Sequence, residues 1–317
     1  MPEGSAPVIS SLDLGDPAIL RAALGPRIPV LADALTVDTL PGGLTNRNLS
    51  VGTPTGRYVV RISDNRSSIL GIDRDHEYRN SLAAAQSGVG APVVGYLPGE
   101  GVLVVEFLDG RTYAEEDLAD VATLRRVSHA VRQLHQGPRF VNDFNMFDIQ
   151  RRYLNAVHER GYRIPRDYEQ FMTQVEHIRA ALAVREEPTV PCNNDLLAAN
   201  FIDDGDRIWL IDYEYSGNND PCFELGNIWS ESVLADELLD ELVTSYYQGR
   251  RVSRIARARL WALMGQYGWT LWGSIQASVS DIDFDFWSWG MERYERAVET
   301  FSDHRFARLL EEVALPD

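Results

Sequence analysis

The sequence predicts an α+β protein of two lobes: a small β-rich N-terminal lobe over residues 1–107 and a larger, mainly α-helical C-terminal lobe over residues 108–317. Three observations carry that prediction. Short alternating apolar runs separated by glycine and proline turns fill residues 1–110. Beyond Phe107-Leu108-Asp109-Gly110 the apolar residues recur at spacings of three and four over long stretches, the period of amphipathic helices. With 317 residues, the chain is also long enough for two such units at roughly 150 residues each.

The first element in order is a short helix near Pro17 to Ala23. Leu35 to Leu40 reads as a strand running into PGGLTNRN, and Asn48 to Gly52 pairs with Tyr58 to Ile62 around the turn Thr53 to Gly56. A helix from Ile72 to Gln86 is stopped by Gly88 and Gly90. Val93 to Leu97 and Val102 to Glu106 form a second hairpin across Pro98 to Gly101. Three helical stretches are expected before Pro188, then two short strands around Asn200 to Asp203 and Arg207 to Ile211, then helix for nearly all the remainder. A sheet lobe joined by one short hinge to a helical lobe places a cleft between them, the usual seat of a ligand.

Composition narrows what that cleft can hold. The net charge of −17, from 47 acidic against 30 basic residues, argues against a grip on nucleic acid or anionic lipid and favours cationic ligands. There is no lysine, so every basic side chain is arginine and any side-chain cation on a phosphate must be an arginine. Cys192 and Cys222 are too few for a disulfide framework or a structural zinc site, and they suit a reducing compartment. No run reaches the roughly 18 apolar residues of a membrane helix, so no membrane insertion is expected. The opening MPEGSAPVISSLDLGDP lacks the regions of a signal peptide, which makes the cytoplasm the expected compartment. The sequence carries no signal for an oligomeric state.

The most informative segment is Val190 to Pro221, VPCNNDLLAANFIDDGDRIWLIDYEYSGNNDP. Asp195 and Asn200 lie five apart on a loop, and Asp212 follows an apolar strand returning from the Gly205 turn. Phosphoryl transfer needs such a set: one carboxylate near the attacking hydroxyl, and an amide and a second carboxylate to hold magnesium. The competing reading makes these residues turn caps and a strand end. In the other lobe, Gly42 and Gly43 allow close approach of backbone to phosphate, and Thr45 and Asn46 offer side-chain donors there. Arg61 stands on the strand after this loop, where it can meet ATP phosphates, and Glu77 on the next helix can hold it, with Asp73 and Asp75 as alternative partners.

At this point the sequence resembles the choline and ethanolamine kinases, relatives of the aminoglycoside phosphotransferases. The resemblance rests on GGLTNRNLSV with YVVRI, then PCNNDLLAANF, LIDYEYSGNNDPCFELGN and WTLWGSIQASVSDIDFDF, in register from about Pro41 to Tyr294. It implies a bilobal, protein-kinase-like fold and an ATP-dependent kinase of a small amino alcohol. It also implies that Asp195 is the catalytic base, Asn200 and Asp212 are the magnesium ligands, and Gly43, Thr45, Asn46, Arg61 and Glu77 serve the ATP phosphates. Glu106, Phe107 and Leu108 would present hinge backbone to adenine. Glu214 would support the metal and substrate region, with Tyr215 and Glu231 on the substrate side. The family usually has histidine two residues before the base, where this chain has Asn193; its bond to backbone near Asp212 is expected in weaker form, through a water.

The C-terminal aromatics suit a cationic substrate. Trp269 and Trp272 are three apart, as are Phe286 and Trp289, and two such faces can build an aromatic box for an ammonium with no N–H to donate. In the family the matching positions surround the ammonium group, with tyrosines more usual where Phe286 and Trp289 stand. Trp261, Phe284 and Trp287 read instead as core. The expected partners are ATP and a choline-like amine: choline, ethanolamine or a methylated ethanolamine. The competing functions are a kinase of another amine, such as an aminoglycoside, and a pseudokinase that binds without turnover.

Overall fold

The computed structural model describes residue 9 and residues 12–41, 46–63 and 69–316. Five antiparallel strands, β1 (Thr36–Leu40), β2 (Asn46–Thr53), β3 (Gly56–Ser63), β4 (Val93–Leu97) and β5 (Val102–Glu106), form one sheet in the order β1-β2-β3-β5-β4. The alternation of Leu49 and Val51 on β2 with Tyr58, Val60 and Ile62 on β3 turns one face inward. That face packs on α1 (Pro17–Leu24) through Leu20 and Leu24, and on Ile28 and Leu31 just beyond it, making the smaller of two hydrophobic cores.

Helix α2 (Arg74–Ser87) is capped at its start by Asp73, which accepts from the amides of Asp75 and His76, and ends at Gly88 with φ +83°. Its buried stripe, Glu77, Asn80, Ser81 and Ala84, is mostly polar because it faces the cleft rather than the core. Asn80 Nδ2 donates to Ser216 Oγ at 2.9 Å and Asn142 Oδ1 at 2.8 Å, tying α2 to the other lobe.

The helical part comprises α3 (Val121–His135), α4 (Met146–Arg160), α5 (Met172–Ala183), α6 (Pro221–Glu231), α7 (Asp236–Tyr247), α8 (Val252–Val279), α9 (Phe286–Ser302) and α10 (Arg305–Glu312). Helix α8 is buried on every side along most of its length, so it has no single apolar stripe, and α4, α6 and α9 pack around it. Where α8 crosses α9, Gly273 and Gly290 meet: a Cβ on Gly273 would lie 2.9 Å from the Cα of Gly290.

Three strands escape the sequence reading because they are two or three residues long. β6 (Arg111–Thr112) completes a three-stranded sheet with β8 (Phe201–Asp203) and β9 (Ile208–Leu210). β7 (Val190–Cys192) pairs with β10 (Gly217–Asn219), Cys192 opposite Gly217, which lays the loop after Cys192 beside the loop before Gly217. Phe284, expected in the core, is 41% exposed in the bend between α8 and α9, where its ring meets Phe286 edge-on at 4.9 Å. Trp287 is half-buried under the guanidinium of Arg163, 3.6 Å from its ring centre, and only Trp261 of those three lies in the core. Among the described residues no helix is long and apolar enough to cross a membrane.

Candidate active site

Residues 193–200 and 211–216 are the two loops that the β7–β10 pair brings together. Asn194, with φ +68°, and Asp212, with φ +64°, both hold left-handed backbone, which costs energy and persists only where surrounding bonds enforce it. Asn194 Nδ2 donates to the carbonyl of Tyr215 at 3.1 Å, and Asn219 Nδ2 donates to Asn194 Oδ1 at 2.9 Å. Asn193 is buried and fully engaged. Its Nδ2 donates to the carbonyls of Ile211 at 3.1 Å and Asp212 at 2.9 Å, and its Oδ1 accepts from the amide of Asp195 at 3.1 Å. The expectation of a weakened, water-bridged bond is therefore corrected. Glu224 of α6, 3.0 Å from the Asn193 amide, seats that residue deep enough for its short side chain to reach both carbonyls directly. Glu224 is backed in turn by His135 Nε2 at 3.0 Å, whose Nδ1 lies 2.8 Å from Tyr246 Oη.

The two loops meet the sheet lobe through a cluster of ion pairs. Arg61 Nη1 donates to Glu77 Oε1 at 2.6 Å, and its Nη2 donates to Asp212 Oδ1 at 2.6 Å, with Glu214 Oε2 at 3.4 Å. Glu77 is thus the partner, while Asp75 instead accepts from the hydroxyl of Tyr96. Burial opposes the charge on Arg61, but Asp212, Glu77 and Glu214 more than offset it and hold the guanidinium protonated. Arg74, which sequence reasoning missed, donates to Glu77 at 2.7 Å, Glu214 at 3.1 Å and Asn46 Oδ1 at 3.0 Å. Asn46 Nδ2 in turn donates to Glu214 at 2.9 Å. Gly42, Gly43 and Thr45 lie outside the described residues.

Between these loops and helices α6, α8 and α9 lies a cavity of about 170 Å³. Asp195, Asn200, Asp212 and Glu214 line one part of it, and Tyr215, Glu231, Trp269, Trp272 and Trp289 another. Trp272 Nε1 donates to Tyr215 Oη at 2.7 Å, and its ring centre is 4.9 Å from that of Trp289. Phe286 does not reach the cavity; it is buried behind Trp272, edge-on at 5.6 Å, because it opens α9 on the side facing α8. Burial, together with Asp212, Glu214 and Glu231, pushes the Asp195 carboxyl well above the usual carboxylate range. Asn200 Nδ2 donates to the Asp195 carbonyl at 2.7 Å, leaving Oδ1 as the other polar atom of its amide. The hinge segment gives less than expected, since the amide of Glu106 already donates to Pro92 at 2.8 Å and that of Phe107 to Arg57 at 2.9 Å.

The family model described as choline/ethanolamine kinase matches residues 37–239. The chain belongs to that family. Individual proteins resemble it as well. Ethanolamine kinase 1 of Mus musculus is 27% identical over 312 residues, covering 83% of each protein. Protein LicA of Haemophilus influenzae is 29% identical over 212 residues, which span 65% of this chain and 61% of that protein. The crystal structure of a choline/ethanolamine kinase family protein from Mesorhizobium loti superposes with a TM-score of 0.81 at 30% identity, covering 94% of this chain and 98% of that one. The family is one of small-molecule kinases with a protein-kinase-like fold, and the pairing of Arg61, Glu77 and Asp212 across the cleft fits that fold.

Proposed function

We propose that the chain phosphorylates the hydroxyl of a small amino alcohol at the expense of ATP, with choline as the leading substrate and ethanolamine and its methylated forms as close relatives. The observation that carries this reading is the cavity itself, where carboxylates and tryptophans line a space of about 170 Å³. That volume is below the roughly 300–1,000 Å³ of drug-sized sites, which favours a compact amine over an aminoglycoside.

In this reading the substrate oxygen attacks the terminal phosphorus of ATP, its proton passes to an oxygen of Asp195, and ADP leaves. Burial and the neighbouring carboxylates raise the proton affinity of that carboxyl, the direction a base needs. Arg61, braced by Glu77, steadies the phosphates. Adenine rests against the carbonyl side of Glu106 and Phe107 and against Leu108, and Gly43, Thr45 and Asn46 are assigned to the phosphates by their place in the sequence. Asn200 Oδ1 and the Asp212 carboxylate are hard oxygen donors of the kind magnesium selects, and both line the cavity. Held there, magnesium supplies neutralisation of the charge on the phosphoryl group. Trp269, Trp272 and Trp289 take the ammonium by cation-π attraction, Tyr215 and Glu231 complete that end, and Phe286 buttresses Trp272. In this reading the boundary between the two lobes falls at 107/108.

Steady-state ADP release with choline, ethanolamine, dimethylethanolamine and an aminoglycoside tests the reading. Magnesium-dependent turnover of the small amino alcohols is expected, with little or none on the aminoglycoside. Amine binding without ADP release would make the chain a pseudokinase, and preference for the aminoglycoside would refute the substrate class.

A further inference from the structure

The amine end of the cavity contains an ion pair that the phosphoryl chemistry does not use. Glu231, the last residue of α6, is buried, and Arg293 of α9 places its Nε 3.1 Å from Glu231 Oε2 while Nη2 of the same guanidinium bonds that oxygen as well. Arg293 Nη1 donates to the carbonyl of Trp289 at 3.0 Å, and its guanidinium carbon lies 3.3 Å from the centre of the Trp289 ring, covering one face. The Glu231 carboxylate, which lines the cavity with the tryptophans, is therefore neutralised by the protein itself. Of the two acceptor side chains at that end, Glu231 has Oε2 taken twice by Arg293, and Tyr215 Oη already accepts from Trp272 Nε1 at 2.7 Å. Indoles only donate.

We propose that Arg293 is a specificity-determining residue, tuning the cavity to a fully alkylated ammonium over a primary one. The inference rests on the reading of the site as that of an amino-alcohol kinase. A primary ammonium carries three N–H donors, and each left unpaired in a dry site costs affinity. A quaternary ammonium has none and needs only the aromatic faces. Without Arg293, Glu231 would stand at the negative end of the α6 dipole with only Arg296, whose Nη1 donates to the Ser230 carbonyl, as a nearby cation, and the ligand's own N–H groups would become its natural partners.

The test is kcat/KM for choline and for ethanolamine with the wild-type chain, Arg293→Met, and the double variant Arg293→Met/Glu231→Gln, each checked for folding by thermal unfolding. The wild type should favour choline by about tenfold or more, one to two unpaired donors' worth. Arg293→Met should move the ratio toward ethanolamine by about tenfold, chiefly through KM. The double variant has no buried charge left unpaired and should keep the choline preference, so it carries the test if the single variant does not fold. A wild type that favours ethanolamine, a folded Arg293→Met with an unchanged ratio, or a double variant that favours ethanolamine overturns the inference. Turnover of neither amine by the wild type would instead remove the amino-alcohol reading, whereas turnover of both with a ratio indifferent to Arg293 removes the inference alone.

Discussion

Replacing Asn193 by alanine removes three hydrogen bonds at once: two from Nδ2 to the carbonyls of Ile211 and Asp212, and one from the Asp195 amide to Oδ1. At about 1 kcal/mol each the loss is about 3 kcal/mol. It falls on the bonds that hold the proposed base against the proposed metal ligand. If the loops must regain that order for the phosphoryl group to transfer, kcat should drop roughly a hundredfold, because each 1.4 kcal/mol is about tenfold in rate. The two KM values should move little, since neither the tryptophans nor Arg61 lose a contact. Asn193→His sharpens the argument. Imidazole offers one N–H and one acceptor nitrogen, so at most two of the three bonds survive and a deficit of about 1 kcal/mol, roughly fivefold in kcat, is expected. The assay is ADP release with both substrates saturating, run beside thermal unfolding. A folded Asn193→Ala enzyme within about threefold of wild-type kcat would refute the reasoning, and would mean that the Glu224 anchor on the Asn193 backbone suffices to order the loop.

Two further outcomes bear on the site. Asp195→Asn should lower kcat by at least about a hundredfold while ATP still binds, measured by single-turnover phosphorylation beside nucleotide titration; near-normal turnover would take Asp195 out of the mechanism. Trp272→Ala should raise the KM for choline about tenfold or more with KM for ATP nearly constant, and an equal loss on a neutral alcohol analogue would identify Trp272 as a packing residue only.

Much of this arrangement was legible in the sequence wherever chemistry and spacing coincide. Asp195, Asn200 and Asp212 announced themselves by five-residue spacing and a strand end, and Arg61 and Glu77 by their place on consecutive elements. What stayed hidden depends on tertiary distance. Arg74 reaches Glu214, 140 positions away, and Arg293 reaches Glu231, 62 positions away; no local pattern encodes such pairs. The polar buried stripe of α2 defeats a search for apolar periodicity, since its inner face meets arginine and asparagine rather than leucine. Phe286 and Trp289 share a helix face by spacing, yet only Trp289 reaches the cavity, because the first residue of a helix and one nearly a turn later face different neighbours. At Asn193 the sequence predicts only a weaker bond, because residue type alone does not show how deeply Glu224 seats the backbone.

The glycine pair at the crossing of α8 and α9 acts as a spacer. Trp272 and Trp289 each immediately precede one of these glycines, so the gap between their rings follows from how closely two backbones approach. A methyl group at position 273 would meet the carbonyl of Phe286 at 2.8 Å as well as Gly290, both main-chain atoms that cannot rotate aside. The helices would have to part, and the two indoles would travel with them. The bore of the cavity is thus set from behind its wall, and bulkier N-alkyl groups could be admitted by a change that alters no atom lining it.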